Sequence, residues 1–203
     1  MRHQSFISYV LPLILLQTVV SCKQVTLKNQ LPVTKNSHSA FTRSNNDEDF
    51  AADTLLYEGF EQHMKSNIKS GNISFQTGVW YLKDAKVATG DPYSAPGNHA
   101  IRIENNGKLS MRFDITSPVK LLFYVTCFVS GHDKHSDWGL FLSGDKGIIY
   151  KCLFVVRDTN RFERKVFILE KQPKSLMRFE IRKLSGGTNK INFDDVLIGY
   201  IKE

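Results

Sequence analysis

From Leu55 to the C-terminus the sequence is a succession of short apolar–polar alternations separated by turn residues, and few folds admit that pattern. Ile101 and Ile103 alternate with Arg102 and Glu104. Beyond Asn105-Asn106-Gly107, Leu109, Met111, Phe113 and Ile115 alternate with Ser110, Arg112 and Asp114. A period of two sends alternate side chains to opposite faces of a strand, and Asn-Gly between two such runs signals a tight turn. The spacing therefore predicts a hairpin turning at Asn105-Asn106-Gly107, one face buried and one wet. Further strand-like runs cover Leu121–Val129, Gly139–Leu142, Ile148–Val156, Lys165–Leu169, Met177–Lys183 and Ile191–Ile201. Between them lie turn residues such as Ser117-Pro118, Gly131-His132-Asp133, Gln172-Pro173 and Ser185-Gly186-Gly187. Many short strands at this spacing predict an all-β antiparallel sandwich or barrel, one domain over residues 54–203. The one helical candidate is a turn near Gln62–Ser66. Hydrophobic residues make up 41% of the chain, enough for a real core.

The N-terminus has a different grammar. Arg2 and His3 precede an apolar run, Phe6 to Val20, that ends in Val19-Val20-Ser21-Cys22. This order of basic, apolar and small residues is that of a signal peptide, and its end resembles the lipobox of bacterial lipoproteins. The run is shorter than the ~20 residues of a membrane span and contains Pro12. Residues 1–21 are thus expected to be removed, leaving Cys22 as an acylated N-terminus that holds the protein in a membrane; acyl chains contribute about 0.8 kcal/mol per buried CH₂. An ordinary secretory signal with an incidental Cys is the alternative. Residues 22–53, rich in Lys, Asn, Ser, Thr and acids, read as a flexible tether. Cleavage removes Arg2 alone among the charged residues, so 27 Lys+Arg become 26 against 20 Asp+Glu, a net charge of +6.

Two cysteines remain in the domain, Cys127 and Cys152, both in strand-like runs. Two buried thiols are favoured over a bridge, although an exported location permits one. Neither has a local His or helix N-terminus to make it reactive.

Several motifs in order along the chain resemble known families. Gly59-Phe60-Glu61 resembles the opening strand of carbohydrate-binding jelly-roll modules, and Phe193-Asp194-Asp195-Val196-Leu197-Ile198 resembles their closing strand. Gly78-Val79-Trp80 and Gly97-Asn98-His99-Ala100-Ile101-Arg102-Ile103 are similar to the middle of galactose-binding-like and MAM-like sandwiches. Trp138-Gly139-Leu140-Phe141-Leu142-Ser143-Gly144-Asp145-Lys146-Gly147 resembles their hairpin, which commonly continues to a Trp where this chain has Tyr150. The resemblance covers residues 55–203 and implies a jelly roll. Such domains occur in exported proteins of Bacteroidetes, often beside nucleases, peptidases or glycan-degrading enzymes. In related jelly rolls the opening Glu and a closing-strand Asp help ligate a structural Ca²⁺, which implies that role for Glu61 with Asp195 or Asp194. Strand parity places Asp194 outward and Asp195 inward, so Asp195 is the expected ligand. Capping or turn roles for both are the alternative.

Other candidate chemistry is sparser. His132 and His135 have a spacing that can bind zinc, but beside Lys134 and without Cys they read as a solvated loop. Sugar rings stack on exposed aromatics, which makes Tyr93, Trp138, Trp80 and Tyr81 candidates. Tyr93, in a Gly/Pro loop, is the best of these, and Trp80 is expected to face the core. Between Arg157 and Lys183 nine basic residues stand against Asp158, Glu163, Glu170 and Glu180, a balance that could attract anionic glycans, headgroups or extracellular nucleic acid. No aromatic platform interleaves with that charge, so sequence-specific nucleic-acid binding is not expected. There is no Gly-x-Ser-x-Gly elbow, His-Glu-x-x-His helix or phosphate-cradling loop, which argues against an enzyme. The expected function is that of a non-catalytic surface lipoprotein, in the outer membrane of a Gram-negative bacterium, whose jelly roll binds extracellular carbohydrate or another polymer. The alternative is a structural or protein-interaction sandwich serving an exported enzyme.

Overall fold

The computed structural model describes residues 23–24, 52–61, 69–89, 99–116, 120–129, 133–159, 162–169 and 176–201. Among them no helix forms. The strands are β1 (Lys23–Gln24), β2 (Ala52–Glu58), β3 (Ser70–Phe75), β4 (Gly78–Thr89), β5 (His99–Met111), β6 (Leu121–Phe128), β7 (Ser136–Ser143), β8 (Lys151–Thr159), β9 (Glu163–Leu169), β10 (Arg178–Lys183) and β11 (Ile191–Ile201). All pair antiparallel except β1, whose two residues lie parallel to β8. Gln62–Ser66 and Tyr93 lie outside the described residues, as does Cys22.

The strands form one curled sheet in the order β1-β8-β7-β10-β5-β11-β6-β9, with β2 on β11 and β3-β4 on β5. It doubles back on itself at β5. The C-terminal part of that strand, Lys108–Ser110, pairs with β10, while Ile101–Ile103 pair with β11. One strand therefore serves both layers of a sandwich, and Asn105-Asn106-Gly107 is not the hairpin turn that its residues signal. Instead Asn105 takes a left-handed φ of 53° and Asp84 opposite takes 46°, where the β4–β5 register slips between Lys83 and Ala85. A Cβ on Gly107 would meet the main-chain oxygens of Lys83 and Asp84 at 2.5 and 2.6 Å, so only glycine lets the backbones approach this closely. Lys183 fixes the bend, its Nζ donating to the Asn105 carbonyl at 2.9 Å and to that of Gly187 at 2.7 Å.

Aromatic side chains join the two layers. Phe123 of β6 lies 5.0 Å from Phe179 of β10, and Trp138 of β7 lies 5.1 Å from Phe193 of β11. Phe154 of β8 stacks on Phe167 of β9 at 4.9 Å. These rings belong to one apolar core that also takes in Leu109, Met111, Leu140 and Ile181. At the other end of the core Trp80 meets Phe60 and Phe113 edge-on.

The first strand of the domain lies on the last: β2 runs antiparallel to β11, with Ala52 opposite Ile201 and Glu58 opposite Val196. Cys127 is free and buried. Burial, then the nearby Glu163 charge, pushes its thiol pKa up to about 12. Cys152 departs from the expected pair of buried thiols: it is half-buried and disulfide-bonded, but not to Cys127.

Candidate functional site

In the layer containing β10, strand parity sorts side chains cleanly. Phe179 and Ile181 point into the core, so Arg178, Glu180 and Arg182 stand on the opposite face. The register carries that row across the layer: Tyr81 of β4 faces Ser110 of β5, Ser110 faces Glu180, and Glu180 faces Phe141 of β7. Beside it Lys83, Lys108, Arg182 and Gly139 make a second row. The result is a continuous outward face of aromatic and charged side chains built on four strands.

Glu180 is its centre. It is 1% exposed although it faces away from the core, because its neighbours close over it. Ser110 Oγ donates to Oε2 at 2.5 Å, Lys108 Nζ donates to the same oxygen at 2.9 Å, and Arg182 Nε donates to Oε1. Burial alone would raise the Glu180 pKa; these three donors outweigh it and hold the carboxyl below its ordinary value. Two guanidinium groups lie over rings, Arg182 Cζ 4.1 Å from the Phe141 centroid and Arg112 Cζ 4.5 Å from that of Tyr81. Arg178 is committed elsewhere, pairing with Asp114 through Nε at 2.6 Å and Nη2 at 3.3 Å.

The β7–β8 loop completes the face. Asp145 Oδ1 accepts from Ser143 Oγ at 2.6 Å and from the amides of Ile148 and Ile149 at 3.1 and 2.9 Å. Those donors stabilise the anion and depress the Asp145 pKa. The loop so fixed sends Ile148 and Ile149 into solvent, 80% and 61% exposed, and turns Tyr150 back toward Arg182. The Tyr150 hydroxyl is buried and has no hydrogen-bond partner.

A second polar site lies at the β2–β11 end. Asp194 is 1% exposed; Oδ1 accepts the Asp195 amide at 2.8 Å, while Oδ2 has no partner. Burial, then the Asp195 charge, raises its pKa to about 8, with Glu61 and Glu58 adding to the effect. Asp195 is only partly buried, and its oxygens are taken by Tyr57 Oη at 2.5 Å and Thr126 Oγ1 at 3.5 Å. The expected parity is therefore reversed. Asp195 adopts φ = 49° within a bulge between Asp194 and Leu197, and that extra residue turns Asp194 inward. Glu61 is exposed and accepts the His99 amide at 3.3 Å. Glu58 is satisfied by the Phe60 amide and by the amide and hydroxyl of Thr77. Among the described residues no three His, Cys, Asp or Glu side chains are grouped to hold a metal ion. The Asp194 Oδ2 is nonetheless a buried carboxyl oxygen without a hydrogen-bond partner, which a hard cation would suit by displacing the proton that burial favours.

The aromatic candidates divide. Trp80 is in the core as expected, its Nε1 donating to Thr77 Oγ1 at 3.0 Å. Trp138 is fully buried, with Nε1 donating to Thr159 Oγ1 at 3.2 Å, and is no ligand platform: it shares the inward parity of Leu140. Tyr81 does lie on the outward face. Phe141, Tyr150, Arg112 and Glu180 were not singled out as ligand groups. The Arg-Phe-Glu-Ile-Arg alternation of β10 carried the signal, but which charges meet across neighbouring strands depends on register.

No protein-family model matches the chain, and no curated protein matches it in sequence. Solved structures do share its fold. The CBM22-1 xylan-binding domain of Paenibacillus barcinonensis Xyn10C superposes with a TM-score of 0.54 at 12% identity, over 76% of this chain and 98% of that one. The CBM22-1–CBM22-2 tandem of the same protein also gives 0.54 at 12% identity, over 78% of this chain and 48% of that one. The CBM22-1–GH10 modules of Clostridium thermocellum xylanase 10B, complexed with xylohexaose, give 0.50 at 14% identity, over 74% and 29%. The architecture of this chain is thus the jelly-roll sandwich found among carbohydrate-binding modules.

Proposed function

We propose that the domain is a non-catalytic glycan-binding module. The observation that carries this reading is the outward face of β4, β5, β10 and β7, where Tyr81, Phe141 and Tyr150 stand beside Glu180, Lys108 and two arginines. Rings beside hydrogen-bonding groups suit a sugar, whose C–H faces are apolar and whose hydroxyls need donors and acceptors. The named ligand of the first structural neighbour, xylan, supports the class. Calorimetry of the purified protein against neutral and acidic glycans tests it; no binding to any of them at millimolar concentration overturns it. The solvent-exposed Ile148 and Ile149 favour a second reading, a sandwich that docks on an exported enzyme. That reading predicts a stoichiometric protein partner in pull-downs, lost in the double substitution of Ile148 and Ile149 by Ser.

We further propose that the protein is anchored in the cell envelope through a lipid on Cys22. The basic start, the short apolar run and Val19-Val20-Ser21 support it. Acylation uses the Cys22 sulfur and so excludes a bridge to it. Mass spectrometry of the N-terminal peptide of the purified protein should show acyl groups on Cys22; a Cys22 left unmodified, or bridged to Cys152, overturns the anchor.

A structural Ca²⁺ at the β2–β11 end is proposed as well, held by Asp194 and Glu61 with main-chain oxygens. When bound it would neutralise the repulsion among Asp194, Asp195 and Glu61. Asp195 is not among its proposed ligands, because Tyr57 and Thr126 occupy its oxygens.

A further inference from the structure

We infer that the ligand of the outward face is an acidic polysaccharide, bound through its carboxylate or sulfate groups; the inference rests on the glycan-binding reading and narrows it. The face carries Lys83, Lys108, Arg112, Arg178 and Arg182, with Lys146 on its β7–β8 loop, six cations, against Glu180, Asp114 and, on that loop, Asp145, three carboxylates. All three are engaged internally, Glu180 by Lys108 and Arg182, Asp114 by Arg178, and Asp145 by Ser143 and the amides of Ile148 and Ile149. Among the described residues the surplus positive charge has no counter-ion on the face. Arg112 is exposed, and its one contact there is with the Tyr81 ring. A guanidinium lying over a ring is held in place by its π face while its in-plane N–H groups stay free, which is the geometry that takes a carboxylate or sulfate through two hydrogen bonds.

Two other features point the same way. The Arg182 guanidinium lies 5.6 Å from the Tyr150 ring, and the Tyr150 hydroxyl is buried without a hydrogen-bond partner. The only carboxylate central to the face is withdrawn from contact, since Glu180 is roofed by its own donors. What an incoming polymer meets is therefore chiefly donors and the Tyr81 ring, the partly exposed Asp114 being already paired with Arg178. A neutral glycan would leave the surplus cations desolvated beneath it without a partner; an acidic one supplies that partner.

The test is affinity electrophoresis and calorimetry of the purified protein with polygalacturonate, a sulfated galactan, neutral xylan and neutral galactan, at 50 mM and 500 mM salt. At low salt at least one of the two anionic polymers should bind roughly tenfold or more tightly than either neutral one, and the gap should close at high salt as screening shortens to a few ångströms. Whichever anionic polymer binds better identifies carboxylate or sulfate as the recognised group. Arg112→Ala should weaken anionic binding about tenfold while leaving the melting temperature unchanged, since this exposed side chain supports no buried partner. Lys83→Gln should do the same to a smaller degree. Neutral glycans bound as tightly as anionic ones, with Arg112→Ala without effect, would overturn the acidic ligand and leave glycan binding standing. Binding to no glycan would remove both. A single-stranded oligonucleotide bound more tightly than any glycan would reassign the face to nucleic acid.

Discussion

Glu180 is pulled in two directions, since burial favours its neutral form and donors from Ser110, Lys108 and Arg182 favour the anion. The donors win, so its folded pKa lies below the ordinary unfolded value of about 4.3. The stabilisation is thus complete above the unfolded pKa and is lost as pH falls through the folded one. Urea denaturation between neutral pH and pH 3 should show this loss, and Glu180→Gln should reduce it. At neutral pH that substitution should cost about 2–3 kcal/mol. This is below the 3–5 kcal/mol of a fully buried pair, because Lys108 and Arg182 still reach water. Cys127 gives a second check: a thiol with a pKa near 12 in the core should resist alkylation at pH 8 and react only once the protein is unfolded. That Cys127 is buried was legible in its run of apolar neighbours. That Trp138 is buried was not, because a neighbouring polar loop suggests a strand end, whereas the pairing of Trp138 with Val156 and Lys183 puts it inside the sheet.

β5 and β11 show how far counting by twos reaches. It located the apolar runs of both, but it read β5 as two strands of a hairpin and failed on each strand where extra residues interrupt the pairing. At Asn105-Asn106-Gly107 the left-handed residues that would close a hairpin instead bend one continuous strand between layers; the same backbone preference serves either outcome, and long-range pairing decides between them. At Asp194-Asp195 a bulge inverted the parity, exchanging the buried and the half-exposed carboxylate. On β5 the residues Glu104 to Gly107 stand against Asp84 alone, and on β11 Asp195 and Val196 stand against Val125 alone; both are local interruptions set by partners far along the chain. The bend yields a direct test. Gly107→Ala should destabilise the domain by about 1–3 kcal/mol, because the atoms in the way are main-chain oxygens that cannot swing aside. A melting curve indistinguishable from that of the parent would mean that the two strands are farther apart than described.

Across the whole molecule, the sandwich was legible from strand spacing, and the outward face was not, because it exists only once β4, β5, β10 and β7 lie side by side in register. Its two polar sites should respond to different perturbations. A cation bound by the folded state alone stabilises it by about 2.7 kcal/mol when free metal exceeds its Kd a hundredfold, roughly 5–10 °C for a domain of this size. Chelator should lower the melting temperature by that order and Ca²⁺ should restore it; Asp194→Asn should abolish the response, and Asp195→Asn should retain it. A melting temperature indifferent to chelator in the parent protein would exclude the cation. The pairing of β2 with β11 has a mechanical consequence. The chain enters the domain at Ala52, beside Ile201, and runs back along β11 to Glu58 opposite Val196. Hydrogen bonds in such a ladder lie across the strands. Tension drawn along the entering segment, in line with β2, therefore loads these bonds in shear, all together, where a sideways pull would peel them one at a time. Were the domain held to a surface by its N-terminus while another face gripped a polymer, the pull would pass through a seam loaded in shear.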